Sequence, residues 1–169
     1  MGKSAIAKEL ASCLNLPLVD VDAEVEQIFR QSTGESATCR QIVQSRGEPV
    51  FRELESQALK AVLQRPERCV VSLGGGAAVD PSNQKLISEH RVIHVTAPKG
   101  IVYERIMVYG KPAFFPKDEE SFMAFNRIWQ ERETIYQKFA VLTVVNDKSI
   151  TDAVNQIINS LEPALKPRK

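Results

Sequence analysis

The chain has 169 residues, 43% of them apolar and 25% charged, with 22 basic against 21 acidic side chains and a net charge of +1. That is one domain's length with an ordinary globular composition, which speaks against a disordered chain or a membrane protein. The near-zero net charge gives no general affinity for nucleic acid or acidic membranes, so any anion must be held by locally placed Arg and Lys.

In chain order, Gly2-Lys3-Ser4 opens an amphipathic run, with Ile6, Leu10, Cys13 and Leu14 at helical spacing, which predicts a helix over 3–14. Residues 16–21 read as a short buried strand ending at Asp20 and Asp22, and residues 23–30 as a helix. Thr33-Gly34-Glu35-Ser36 predicts a turn with an N-cap, then a helix over 37–45. A longer helix is expected over 48–64, carrying Phe51, Leu54, Leu59 and Val62 and stopping before Pro66.

The apolar run 69–73 stops at Gly74-Gly75-Gly76, as a central parallel strand would. A short helix over 81–89, a strand over 91–96 and a helix from 98 to about 109 follow. Residues 110–116 break regular structure, then a helix to 139, a strand over 142–145 and a helix over 150–161 complete the pattern. Strands alternating with helices predict a doubly wound α/β fold with a parallel sheet, whose active site lies outside the carboxyl ends of its strands. Asp20, Asp22 and the three glycines all fall at such ends.

The chemistry starts at the amino terminus. Gly2-Lys3-Ser4 reads as the end of a phosphate-binding loop, G-x-x-x-x-G-K-[ST]. In such a loop the Lys reaches the β/γ-phosphate oxygens and the Ser hydroxyl holds Mg²⁺. A bare tripeptide is a weak signal, and the first half of the cradle does not precede it.

Asp20 and Asp22, two apart on a strand, would share one face, one serving Mg²⁺ and the other an acceptor hydroxyl. The plainer reading makes Asp22 a helix N-cap. Gly74, Gly75 and Gly76 admit a ligand close to backbone N–H donors, or form an ordinary turn. Arg52 and Arg132 sit on helices among Glu48, Glu55, Glu131 and Glu133. They are surface ion pairs or, alternatively, a pair of guanidinium forks for a substrate carboxylate.

Tyr109-Gly110-Lys111-Pro112 has the look of a mobile lid carrying a cation to the phosphates, or of a plain interhelical loop. His90 and His94 have no metal-spaced partner and receive no role. Phe122, Phe125, Ile128 and Trp129 read as core. Cys13, Cys39 and Cys69 lack metal-ligand spacing and fit free thiols in a reducing cytosol. No apolar run or signal peptide suggests a membrane or export.

Taken together these segments resemble the shikimate kinase family over essentially the whole chain. Gly2-Lys3-Ser4 matches the loop's end, and Asp20-Val21-Asp22 matches the family's D-x-D. Residues 47–55 (GEPVFRELE) are similar to its G-E-x-x-F-R-x-x-E segment. Val71-Ser72-Leu73-Gly74-Gly75-Gly76 matches its glycine-rich strand end, and residues 131–136 (ERETIY) match its E-R-x-P-L-Y segment.

The resemblance implies a P-loop kinase fold with sheet order 2-3-1-4-5, a single kinase domain over 1–162, a lid at about 110–118 and a basic tail over 163–169. It implies transfer of the ATP γ-phosphoryl to the 3-hydroxyl of shikimate, with Mg²⁺, in the cytoplasm, by a monomer with no nucleic-acid or membrane partner. Lys3 would stabilise the phosphates, with Gly2 beside it, and Ser4 and Asp20 would serve the metal. Asp22 would orient or deprotonate the nucleophilic hydroxyl. Arg52 and Arg132 would clamp the carboxylate, Gly74, Gly75 and Gly76 would donate to the substrate, Arg105 would pack on adenine, and Lys111 would cover the phosphates.

Three departures accompany the resemblance. Lys111-Pro112 stands where the family has Arg-Pro, and Thr134 stands where it has Pro. The family's first strand and the first half of the phosphate loop are missing, which predicts a start roughly ten residues upstream and, for the chain as written, little activity and poor solubility. Two other readings remain: a kinase-like binding module without ATP turnover, and a kinase for gluconate or a nucleotide.

Overall fold

Val21 is fully buried directly after the exposed-to-buried step Leu18–Val19, so the chain turns from extended to helical within three residues. This sets the frame of the segment 15–90. A computed structural model describes residues 2–108, 115–116 and 118–165, with the backbone alone for 162–165. The chain divides into two compact units, one formed by Met1–Leu14 with Arg91–Lys169 and the other by Asn15–His90.

In the Asn15–His90 unit the elements are β1 (Leu18–Asp20), α2 (Val21–Thr33), α3 (Cys39–Arg46), α4 (Glu48–Leu63), β2 (Val70–Ser72) and α5 (Pro81–Ser88), numbered after α1 (Lys3–Leu14) of the other unit. β1 and β2 pair in parallel, Asp20 opposite Ser72. The core is made by α2 against α4, with Val25 and Phe29 facing the stripe Phe51, Leu54, Ala58, Leu59 and Val62. Each such aliphatic or aromatic side chain contributes about 1.5–3 kcal/mol on burial.

The caps are local. Asp20 accepts from the Asp22 N–H at 3.0 Å and starts α2. Thr38 and Gln41 form a reciprocal capping box that starts α3, so the cap falls two residues after the end of the expected turn. Asp80 accepts from the Ser82 N–H at 2.8 Å and starts α5.

In the other unit, β3 (Val92–Thr96) and β4 (Ala140–Val145) pair in parallel, joined through α6 (Lys99–Val108) and α7 (Ser121–Phe139). α8 (Ile150–Leu165) closes it, packing Ala153, Val154 and Ile157 inward beside α1, while Thr151 Oγ1 donates to Glu9 at 2.9 Å. The buried face of α1 is Ile6, Ala7, Leu10 and Ala11, whereas Cys13 is exposed, contrary to the periodicity reading. A second cluster joins Val102, Phe115, Ala124 and Phe125, with Ile128 and Trp129 against it. Phe122, expected in the core, is half exposed and meets Tyr103 edge-on.

The architecture is α/β with parallel strands flanked by helices. The described strands form two parallel pairs, β1–β2 and β3–β4.

Candidate functional site

The structure brings four predicted residues together in the Asn15–His90 unit and adds a fifth. Arg52 and Glu55 lie one turn apart on α4, and Arg52 Nη1 donates to Glu55 Oε2 at 2.7 Å. Its Nη2 donates to Glu48 Oε1 at 2.9 Å, while the guanidinium lies 5.3 Å from the Phe51 ring centroid. Glu55 is 1% exposed. Its position within the apolar stripe between Phe51 and Leu59 forces a carboxylate into the core, where it survives because Arg52 compensates it.

The glycine turn after β2 completes the cluster. A Cβ on Gly74 would stand 2.8 Å from Asp22 Oδ1 and 3.0 Å from Glu55 Oε1. One on Gly76 would collide with Arg52 Nη1 and lie 2.7 Å from its Cζ. The turn therefore passes under two carboxylates and a guanidinium at a separation that no side chain allows. Gly75 sits between them.

Asp22 corrects the strand argument. It lies in the first turn of α2, not on β1, and Asp20 rather than Asp22 is the N-cap. The exposed Asp22 carboxylate nevertheless reaches Gly74, because the turn of the helix after Asp20 swings it toward the end of β2.

Electrostatics follow from this crowding. Burial pushes the Glu55 carboxyl above its usual range, with Asp22 and Asp80 adding to the effect and the Arg52 bond opposing it. Burial works against the Arg52 charge, yet Glu55 and Glu48 outweigh it and hold the guanidinium firmly protonated. Both values rise, which favours the charge on Arg52 and opposes it on Glu55, the more deeply buried partner; the 2.7 Å contact is that of an ionised pair.

Cys39 stands against the same wall, its Sγ donating to the Asp22 carbonyl at 3.4 Å and its N–H donating to Glu26 at 3.0 Å. Burial, then Asp22 and Glu26, push its thiol up to about 12, so it packs as a neutral, inert group. An open groove of about 430 Å³ between α2 and residues 36–41 contains none of the predicted residues.

In the other unit, Gly2 has φ 73° and its carbonyl accepts from the Ile6 N–H at 3.0 Å, so it leads directly into α1. Lys3 and Ser4 form the first turn, Ser4 exposed. A Cβ on Gly2 would lie 3.0 Å from Asn146 Nδ2. Asn146, held after β4 by its N–H donating to the Thr96 carbonyl at 2.8 Å, is a neighbour of Gly2 that sequence reading missed. Arg105 is exposed on α6, and Arg132 is partly exposed on α7. Lys111 and most of the expected lid lie outside the described residues.

Ser4 in one unit and Asp20 in the other each offer a hard oxygen donor of the kind Mg²⁺ takes. Among the described residues there is no group of three His, Cys, Asp or Glu able to hold a metal alone. No helix among the described residues is long and apolar enough to cross a membrane.

Comparison with known proteins adds three findings. A profile described as shikimate kinase matches residues 1–162. A shikimate kinase of Geobacter metallireducens is 33% identical over 162 residues, covering 95% of this chain and 86% of that protein. A bifunctional shikimate kinase/3-dehydroquinate synthase of Thermotoga maritima is 31% identical over 138 residues, and the match spans 82% of this chain but 26% of that protein.

Among solved structures, shikimate kinase from Aquifex aeolicus aligns with TM-score 0.72 at 28% identity, over 98% of this chain and 93% of that one. Shikimate kinase from Acinetobacter baumannii in complex with shikimate aligns with TM-score 0.81 at 22% identity, over 98% and 89% respectively, which establishes the shared fold.

Proposed function

The chain belongs to the shikimate kinase family, an ATP-dependent kinase family, and we propose that it transfers the γ-phosphoryl of ATP to the 3-hydroxyl of shikimate in the cytoplasm, acting as a monomer. The observation that supports the substrate is the cluster Asp22, Arg52, Glu55, Gly74 and Gly76. A guanidinium fork, an exposed carboxylate and open backbone suit a compact ligand with one carboxylate and several hydroxyls.

In this reading Arg52 grips the substrate carboxylate, supported by Glu55 and Glu48, and Arg132 supplies the second fork. The glycine turn at 74–76 offers N–H donors to the ring substituents. Asp22 accepts a hydrogen bond from the reacting hydroxyl and takes its proton as the oxygen attacks the γ-phosphorus. The bond from that phosphorus to the β–γ bridging oxygen breaks, and ADP leaves.

Gly2, Lys3 and Ser4 hold the phosphates, and Arg105 lies against adenine. Mg²⁺, held by Ser4 and through water by Asp20, supplies charge neutralisation at the phosphates when bound. Little covalent work is asked of the protein; positioning and charge do most of it.

A coupled ADP-release assay with shikimate, gluconate and nucleoside monophosphates tests the reading. Release that depends on shikimate and not on the others is expected. Equal release with gluconate or a nucleotide overturns the substrate assignment. Shikimate binding with no ADP release would make the chain a binding module.

A further inference from the structure

The strongest unexplained feature outside the cluster is His94 on β3. It is 8% exposed, and its Nδ1 is the one buried side-chain nitrogen or oxygen without a hydrogen-bond partner among the described residues. The nearest charged atom is Glu133 Oε1 on α7, 3.7 Å away. That carboxylate is a quarter exposed and already accepts from Gln137 Nε2 at 3.1 Å. The Tyr136 ring lies 5.2 Å from the imidazole, tilted by 48°, so the ring is clamped where it stands. Native interiors rarely leave such an atom unpaired, and an acceptor just out of reach marks a contact that a small shift would complete.

Glu133 directly follows Arg132 on α7, which packs against both β3 and β4. We propose that His94 and Glu133 are positioning residues for Arg132: the Nδ1–H of neutral His94 donates to Glu133 when α7 moves toward β3 as Arg132 engages a carboxylate ligand. The required approach is about 0.8 Å, the difference between the present separation and an ordinary N–H···O distance. A shift of this size is ordinary for a helix sliding on a packed sheet. No proton is gained or lost, because the neutral tautomer bearing hydrogen on Nδ1 suffices. The proposal rests on the assignment of Arg132 to the substrate carboxylate.

The test uses the full chain labelled with ¹⁵N-histidine, in which only His90 and His94 report. Shikimate affinity is measured by calorimetry alongside. On adding shikimate, the His94 Nδ1 resonance moves to a hydrogen-bonded position in the wild type and stays put in Glu133→Leu, which keeps the bulk but has no acceptor, while His90 serves as the reference. Glu133→Leu binds shikimate roughly 3- to 10-fold more weakly and binds ATP as the wild type does. His94→Phe, which keeps the ring and its packing on Tyr136, weakens shikimate binding by a similar factor. Shikimate binding with an unmoved His94 signal, or wild-type affinity in Glu133→Leu, overturns the proposal and leaves the functional reading intact. No shikimate binding by the wild type removes both.

Discussion

Gly76 lies so close beneath the Arg52 guanidinium that a single added methyl group would occupy the place of Nη1. The contact is between a backbone turn and the far end of a flexible side chain, so the two consequences of filling it separate. The fold tolerates the change by swinging Arg52 away, and the ligand site does not. Gly76→Ala is expected to change stability by less than about 1 kcal/mol and to weaken shikimate binding at least about tenfold, through loss of the bidentate contact. Chemical denaturation and calorimetry measure the two effects independently.

Glu55→Gln keeps the shape of a fully buried side chain while removing its charge. The bond to Arg52 persists in neutral form, so shikimate affinity falls by roughly 5- to 10-fold, the difference of about 1 kcal/mol between charge-assisted and neutral bonds. Stability stays level or rises, because a carboxylate no longer has to be held in the core. Glu55→Ala leaves Arg52 with Glu48 alone and costs about 1–3 kcal/mol in denaturant unfolding.

Asp20 caps α2 and, in the proposed function, also serves magnesium, two roles that substitution separates. Asn keeps a side-chain oxygen for the Asp22 N–H, so Asp20→Asn is expected to retain the stability of α2, whereas Asp20→Ala loses about 1 kcal/mol. Both lose the carboxylate, so under the proposed function both need more Mg²⁺ for half-maximal ADP release. If Asp20→Asn titrates with Mg²⁺ as the wild type does, Asp20 is a cap and nothing more.

Burial pushes the His94 imidazole below its ordinary value, and Glu133 pulls it back only in part. The folded protein thus binds this proton less readily than the unfolded chain does. The contribution is fully present above about pH 6.5, the unfolded value, and is lost as the pH falls below it. Unfolding free energy is therefore expected to fall between pH 7 and 5.5, by no more than about 1.4 kcal/mol per unit for one proton. His94→Phe flattens that segment of the profile, as read from denaturation midpoints at each pH.

Much of this was legible in the sequence, and the misses have specific causes. The helices over 3–14 and 48–63 were readable because their apolar spacing spans three or more turns. β1 has three residues, too few for alternation to be told from the first turn of a helix, so Asp22 was placed on the wrong element. Glu55 hid in plain view as one of several acids near Arg52. Its signal was its phase, four residues after Phe51 and four before Leu59, inside a stripe otherwise apolar. Asn146 and the His94–Glu133 approach join residues distant in sequence, and no local pattern encodes such contacts.

The central claim is that the Asp22–Arg52–Glu55 cluster over the glycine turn receives a carboxylate-bearing polyol. A crystal structure of the chain with shikimate tests it most directly. The account predicts the carboxylate within hydrogen-bond distance of the Arg52 guanidinium and a ring hydroxyl on Asp22, above Gly74. Shikimate bound elsewhere, with Arg52 still paired only to Glu48 and Glu55, would contradict it.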